Sequence, residues 1–179
     1  MLTSVLAAAT LALAAVAPAL ADRAPDAPFK AIEGGDLNLA DYRGGPVLVV
    51  NTASRCGFTY QYDGLQALWD EYRDRGLTVV AVPSDAFNQE LASNEAVKEF
   101  CEVNYNLTVP MTEVTEVTGD AAHPFYQWLR EAHDFTPRWN FNKVLLDGEG
   151  RFVDAWGSSV RPTSTVITKK VEAALPSGS

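Results

Sequence analysis

Cys56 and Cys101 are the only two cysteines of this 179-residue chain, 45 positions apart. Cys56 lies in Asn51-Thr52-Ala53-Ser54-Arg55-Cys56-Gly57-Phe58-Thr59, a turn-rich stretch between an apolar run and a helical pattern. A helix starting near Thr59 would present free N–H groups and about half a positive charge to that thiol, which favours the thiolate. Arg55 adds positive charge beside it. The thiolate is the nucleophile: an ordinary thiol is about 3% ionised at pH 7, and one with a pKa near 6 about 90%. On position alone, a buried structural cysteine fits as well. Two cysteines are too few for a disulfide scaffold or a four-thiolate zinc site. His123 and His133 have no Cys, Asp or Glu at ligand spacing, so no metal is expected. Asp147-Gly148-Glu149-Gly150 reads as a hairpin turn, because a calcium loop needs more oxygen ligands.

The elements that position Cys56 can be read from the hydrophobic pattern. Val47-Leu48-Val49-Val50 and Leu77–Val82 are apolar runs of the kind that form strands buried on both faces. Between them Leu65, Leu68, Trp69 and Tyr72 recur at helical spacing until Gly76 ends the helix. Ser93–Tyr105 reads as a second helix, with Val97, Phe100 and Cys101 on one face. A third starts near Pro124, and a last one follows Pro162 with Ile167, Val171 and Ala174 in register. Val144–Leu146 and Phe152–Trp156 flank a turn and form an antiparallel hairpin. A shorter hairpin is expected from Phe29–Ile32 and Leu37–Leu39. Strands that first alternate with helices and then close in a hairpin predict an α/β fold. Its central mixed β-sheet is flanked by helices on both faces.

Residues 1–21 carry no charged side chain, end in Ala19-Leu20-Ala21 and turn polar at Asp22-Arg23. This is the pattern of a signal peptide, so the protein is expected to be exported, periplasmic or secreted, after its removal. An uncleaved anchor is the alternative. Residues 22–28 read as a flexible leader and 29–179 as one domain. No later segment is apolar for long enough to span a membrane. Export places both thiols where a disulfide can persist. With 47% hydrophobic and 21% charged residues the chain is globular. Its net charge of −9 argues against a nucleic-acid partner.

The Cys56 segment resembles the peroxidatic-cysteine segment of the glutathione peroxidase family. Trp139-Asn140-Phe141-Asn142-Lys143 is similar to that family's Trp-Asn-Phe-x-Lys motif, and Gln89-Glu90 falls where the family has a Gln-Glu pair. The likeness runs from about Phe29 to Val171. It implies a thioredoxin fold, no cofactor, and a peroxidase acting in oxidative stress. Cys56 would be the nucleophile, with Gln89, Trp139 and Asn140 as neutral donors around it. Donors aimed at the oxygen that leaves as peroxide breaks lower the barrier by about 3–4 kcal/mol each in comparable oxyanion sites.

Cys101 resembles the resolving cysteine of the thioredoxin-using branch, which implies a hydroperoxide substrate, a Cys56 sulfenic acid and a Cys56–Cys101 disulfide. The reductant would be a thioredoxin-like protein or a small thiol. If Cys101 lies on a helix, that helix must partly unwind before the sulfurs meet. A static bridge is the other reading of the pair, stabilising by about 4 kcal/mol. The loop Pro83–Gln89 departs from the family pattern. Ser84 stands for a cysteine, Asp85-Ala86 for Asn-Gln, and one position is missing. The short stretch Arg130–Arg138 implies a monomer with an open site. Two further readings are a thiol–disulfide oxidoreductase, which lacks its Cys-x-x-Cys here, and a non-catalytic thioredoxin-like module.

Overall fold

The computed structural model describes residues 22–176, so the segment read as a signal peptide lies outside the described residues. β1 (Phe29–Lys30) and β2 (Asp36–Leu37) form a small antiparallel hairpin. It is shorter than the pattern suggests because Ala31 and Ile32 turn to pair with Thr112 and Met111. β3 (Val47–Thr52), α1 (Gln61–Tyr72) and β4 (Thr78–Pro83) follow, then α2 (Asn94–Tyr105) and α3 (Pro124–His133). β5 (Lys143–Leu146), β6 (Phe152–Trp156) and α4 (Thr165–Ala174) complete the order. The main sheet runs β4-β3-β5-β6, with β3 parallel to β4 and antiparallel to β5. It is mixed, as expected.

Side chains alternate across the sheet, so each strand feeds two cores. Leu48 and Val50 of β3, Val79 and Ala81 of β4 and Leu145 of β5 pack with α1, α2 and α4. Val47, Val49, Val80, Val82, Val144 and Leu146 face α3 and the β1–β2 hairpin. Helices therefore cover both faces. β3 is buried along its whole length and can end in a site without exposing its own backbone. Where β3 begins, Gly45 lies so close to Gly76 that a Cβ would meet its carbonyl oxygen at 1.9 Å.

Both edges of the sheet are covered in part. Ala81 N–H donates to Pro110 O at 2.9 Å and Thr112 N–H to Ala81 O at 3.0 Å along the outer side of β4. On the other side lie residues 22–28, expected as a flexible leader. Ala24 N–H donates to Gly150 O at 2.9 Å and Phe152 N–H to Asp22 O at 3.3 Å, and Ala24 is buried. The leader is held because a free strand edge supplies partners for its backbone. Among the described residues no helix is long and apolar enough to cross a membrane.

Candidate active site

Cys56 sits in the turn that follows β3. The helix after it begins at Gln61, two residues later than the pattern suggests, because residues 58–62 first form tight turns. Thr59 N–H donates to Cys56 O at 3.1 Å and Gln61 N–H to Phe58 O at 2.9 Å. The sulfur is buried, and Phe58 N–H points at it with N···Sγ 3.5 Å. An N–H aimed at sulfur is the contact that negative charge there requires. Arg55 beside it is exposed.

A second loop, after β4, is laced to the Cys56 turn. Arg55 N–H donates to Gln89 O at 2.9 Å, and Ser54 N–H donates to Glu90 Oε1 at 3.0 Å. Asp85 Oδ1 accepts from Glu90 N–H at 3.0 Å and shapes the loop from inside. The altered residues are accommodated: Ser84 is fully buried and its Oγ accepts from Ala86 N–H at 3.2 Å.

The third piece is the turn before β5. Asn140 is fully buried and its Nδ2 donates to Gln89 Oε1 at 3.4 Å. Trp139 keeps 38% of its surface exposed and packs against Phe87, ring centroids 5.3 Å apart. Asn51, the fifth residue of β3, fixes this turn: its Nδ2 donates to Trp139 O at 2.9 Å, and its Oδ1 accepts from Asn142 N–H at 3.0 Å. That clamp holds Phe141 at φ +60. Gln89 is thus placed against both Asn140 and the Cys56 turn. Among the described residues no hydrogen bond from Gln89, Trp139 or Asn140 reaches Cys56 Sγ, and Gln89 Nε2 and Trp139 Nε1 donate to no protein acceptor. Those two donors are uncommitted and face no competition for a bound oxygen.

Cys101 is fully buried in α2, within the same apolar cluster as Cys56, and both thiols are free. Burial pushes the Cys101 thiol up to about 12, and the nearby Glu90 and Glu102 carboxylates push the same way. Tyr62 OH is also in the cluster, and burial with the Cys101 charge beside it raises it well above the usual phenol range. Lys143 is fully buried at the start of β5, opposite Val50 of β3. Its Nζ donates to Gln61 Oε1 at 2.5 Å, Val160 O at 2.6 Å and Ser158 O at 3.4 Å. Burial pulls its pKa down to about 7.

Asn51, Glu90 and Lys143 lie inside the three motifs without a role assigned to them there, and Tyr62 was not singled out. Asn51 and Lys143 did carry a signal, each being a polar residue flush against an apolar strand run. Glu90 carries the Gln-Glu pairing, and Tyr62 carries no signal without the fold. Among the described residues no group of three or more His, Cys, Asp or Glu side chains is arranged to hold a metal.

A mixed sheet with a cysteine at the turn after its central parallel strand, and helices on both faces, defines the thioredoxin-fold thiol proteins. Within that class, a family model for glutathione peroxidase matches residues 26–130. A glutathione peroxidase of Lactococcus lactis is 39% identical over 141 residues, covering 75% of this chain and 90% of that protein. A hydroperoxy fatty acid reductase of Synechocystis is 41% identical over 143 residues, covering 74% and 85%. The crystal structure of an apo protein called Trgpx superposes with TM-score 0.66 at 29% identity, covering 85% of this chain and 95% of that one. A thiol:disulfide interchange protein DsbE of Chlorobium tepidum, at 21% identity and TM-score 0.62, covers 86% of this chain and 95% of its own, and shares the fold alone. The chain belongs to the glutathione peroxidase family, and with it to the peroxidases.

Proposed function

We propose that this is an exported two-cysteine thiol peroxidase that reduces hydrogen peroxide and organic hydroperoxides. The observation that carries the proposal is the joined set of loops around Cys56. An N–H faces its sulfur, and uncommitted amide and indole donors stand on the neighbouring turns. The Cys56 thiolate attacks one peroxide oxygen, the O–O bond breaks, and a proton reaches the departing oxygen, giving Cys56 sulfenic acid and an alcohol or water. Gln89, Trp139 and Asn140 stabilise the charge that develops on that oxygen. Cys101 then attacks the sulfenic sulfur, its proton leaves with the hydroxyl as water, and a disulfide remains. An external dithiol, thioredoxin-like, returns both thiols by exchange.

Exposed Trp139, packed on half-buried Phe87, gives the mouth an apolar rim suited to organic hydroperoxides, in keeping with the fatty-acid substrate named for the Synechocystis relative. The short link between α3 and the Trp139 turn favours a monomer, and residues 1–21 favour export.

Mixing reduced protein with one equivalent of peroxide tests the proposal: two thiols are lost rapidly and an intramolecular disulfide appears. A Cys101→Ser variant stops at sulfenic acid. Slow or absent thiol loss would instead leave a non-catalytic thioredoxin-like module.

A further inference from the structure

The Glu90 carboxylate is 5% exposed, and a buried carboxylate is costly unless donors surround it. A single oxygen receives both of its donors: Glu90 Oε1 accepts from Ser54 N–H at 3.0 Å and from Leu91 N–H at 2.8 Å. These two N–H groups belong to different parts of the reaction. Ser54 lies two residues before Cys56, in the turn that leaves β3. Leu91 opens the short segment leading to α2, which carries Cys101, and its side chain packs on the same core cluster as both sulfurs. The backbone repeats the tie one residue earlier, where Arg55 N–H meets Gln89 O. Glu90 Oε2 is buried and makes no hydrogen bond among the described residues. Only one oxygen is therefore engaged, and the contact is one of reach and shape rather than of ion pairing.

We propose that Glu90 is a positioning residue that sets the Cys56 turn for attack on peroxide and ties that turn to the approach of the Cys101 helix. Its effect is exerted through the Ser54 and Leu91 amides and not by contact with the reacting atoms. While α2 is folded, Leu91 and Ser54 share one acceptor, and the turn is held as the first step requires. When α2 unwinds, Leu91 moves and the same acceptor is disturbed. Cys56 is then freed to move towards Cys101.

This inference rests on the peroxidase reading, so its test has two readouts. In a Cys101→Ser background, the rate of Cys56 thiol loss with one equivalent of peroxide isolates the first step. Glu90→Ala is expected to slow that rate at least tenfold, while Glu90→Gln, which keeps an acceptor oxygen at the same reach, stays within twofold. Amide hydrogen exchange at Ser54 and Leu91 is measured on the same proteins without peroxide. Both amides should speed up together, at least tenfold, in Glu90→Ala and remain unchanged in Glu90→Gln. Should Glu90→Ala not fold, Glu90→Asp, one methylene shorter with the charge retained, is expected to behave as Ala would. The proposal is overturned if the shortened variants react and exchange like the parent, or if Glu90→Gln is as slow as Glu90→Ala. A parent that ignores peroxide would sink the peroxidase reading, and the exchange data would still decide the role of Glu90.

Discussion

Two buried side chains give the protein opposite responses to pH. Lys143, held near 7 when folded and near 10.5 when unfolded, binds fewer protons in the native state between those values. Stability therefore rises with pH from about 7, and Lys143→Met should flatten that rise in urea titrations at pH 7, 8 and 9. Cys101, pushed up to about 12, keeps its proton when the unfolded thiol loses its own. Stability due to it is complete below about 9 and is lost as pH climbs towards 12, a fall that Cys101→Ser should lessen. At the reacting centre, Cys56→Ser should abolish turnover, and Asn140→Ala should lower kcat/KM by about 10²–10³-fold, read by steady-state kinetics beside a thermal melt. Of these residues, the cysteines and the Trp139-Asn140 turn were legible in sequence because motif spacing marks them. Lys143 was not. Its burial depends on Gln61 and on the carbonyls of Ser158 and Val160, which lie 82, 15 and 17 positions away and meet only in the fold.

Like α4, α2 is lightly attached, burying only two residues. Val97 and Cys101 are its only buried residues, whereas α1 buries Gln61, Tyr62, Leu65, Leu68 and Tyr72. Phe100 and Tyr105 pack on the core while only partly buried, and polar contacts add to them: Ser93 Oγ caps Ala96 N–H at 3.2 Å, and Lys98 reaches Glu33 at 2.7 Å. Such a helix opens locally at low cost. Ser93→Ala should lower stability by about 1 kcal/mol. If opening gates disulfide formation, the same change should speed the loss of the second thiol about fivefold, followed by quenched-flow alkylation. Oxidised protein should exchange its α2 amides faster than reduced protein. The extent of α2 was readable from helical spacing. Its weak hold was not, because that depends on what the neighbouring elements leave uncovered.

For the molecule as a whole, the two-sided sheet was legible because apolar runs without alternation demand cover on both faces. What the pattern missed is the treatment of the sheet's margins. Residues 22–28 look solvated in sequence, and nothing local predicts that Gly150 and Phe152 will take up their backbone. If residues 1–21 are removed as proposed, that stitching makes the position of the cut a structural matter. A cut before Asp22 leaves the seam intact, while trimming three residues further would strip the partners of Gly150 and Phe152 and bare a strand able to zip onto another molecule. Light scattering of proteins starting at Asp22 and at Pro25 should show the second clumping at concentrations where the first stays dispersed. Under the proposed export, the site of the cut would then decide between a dispersed enzyme and a sticky one.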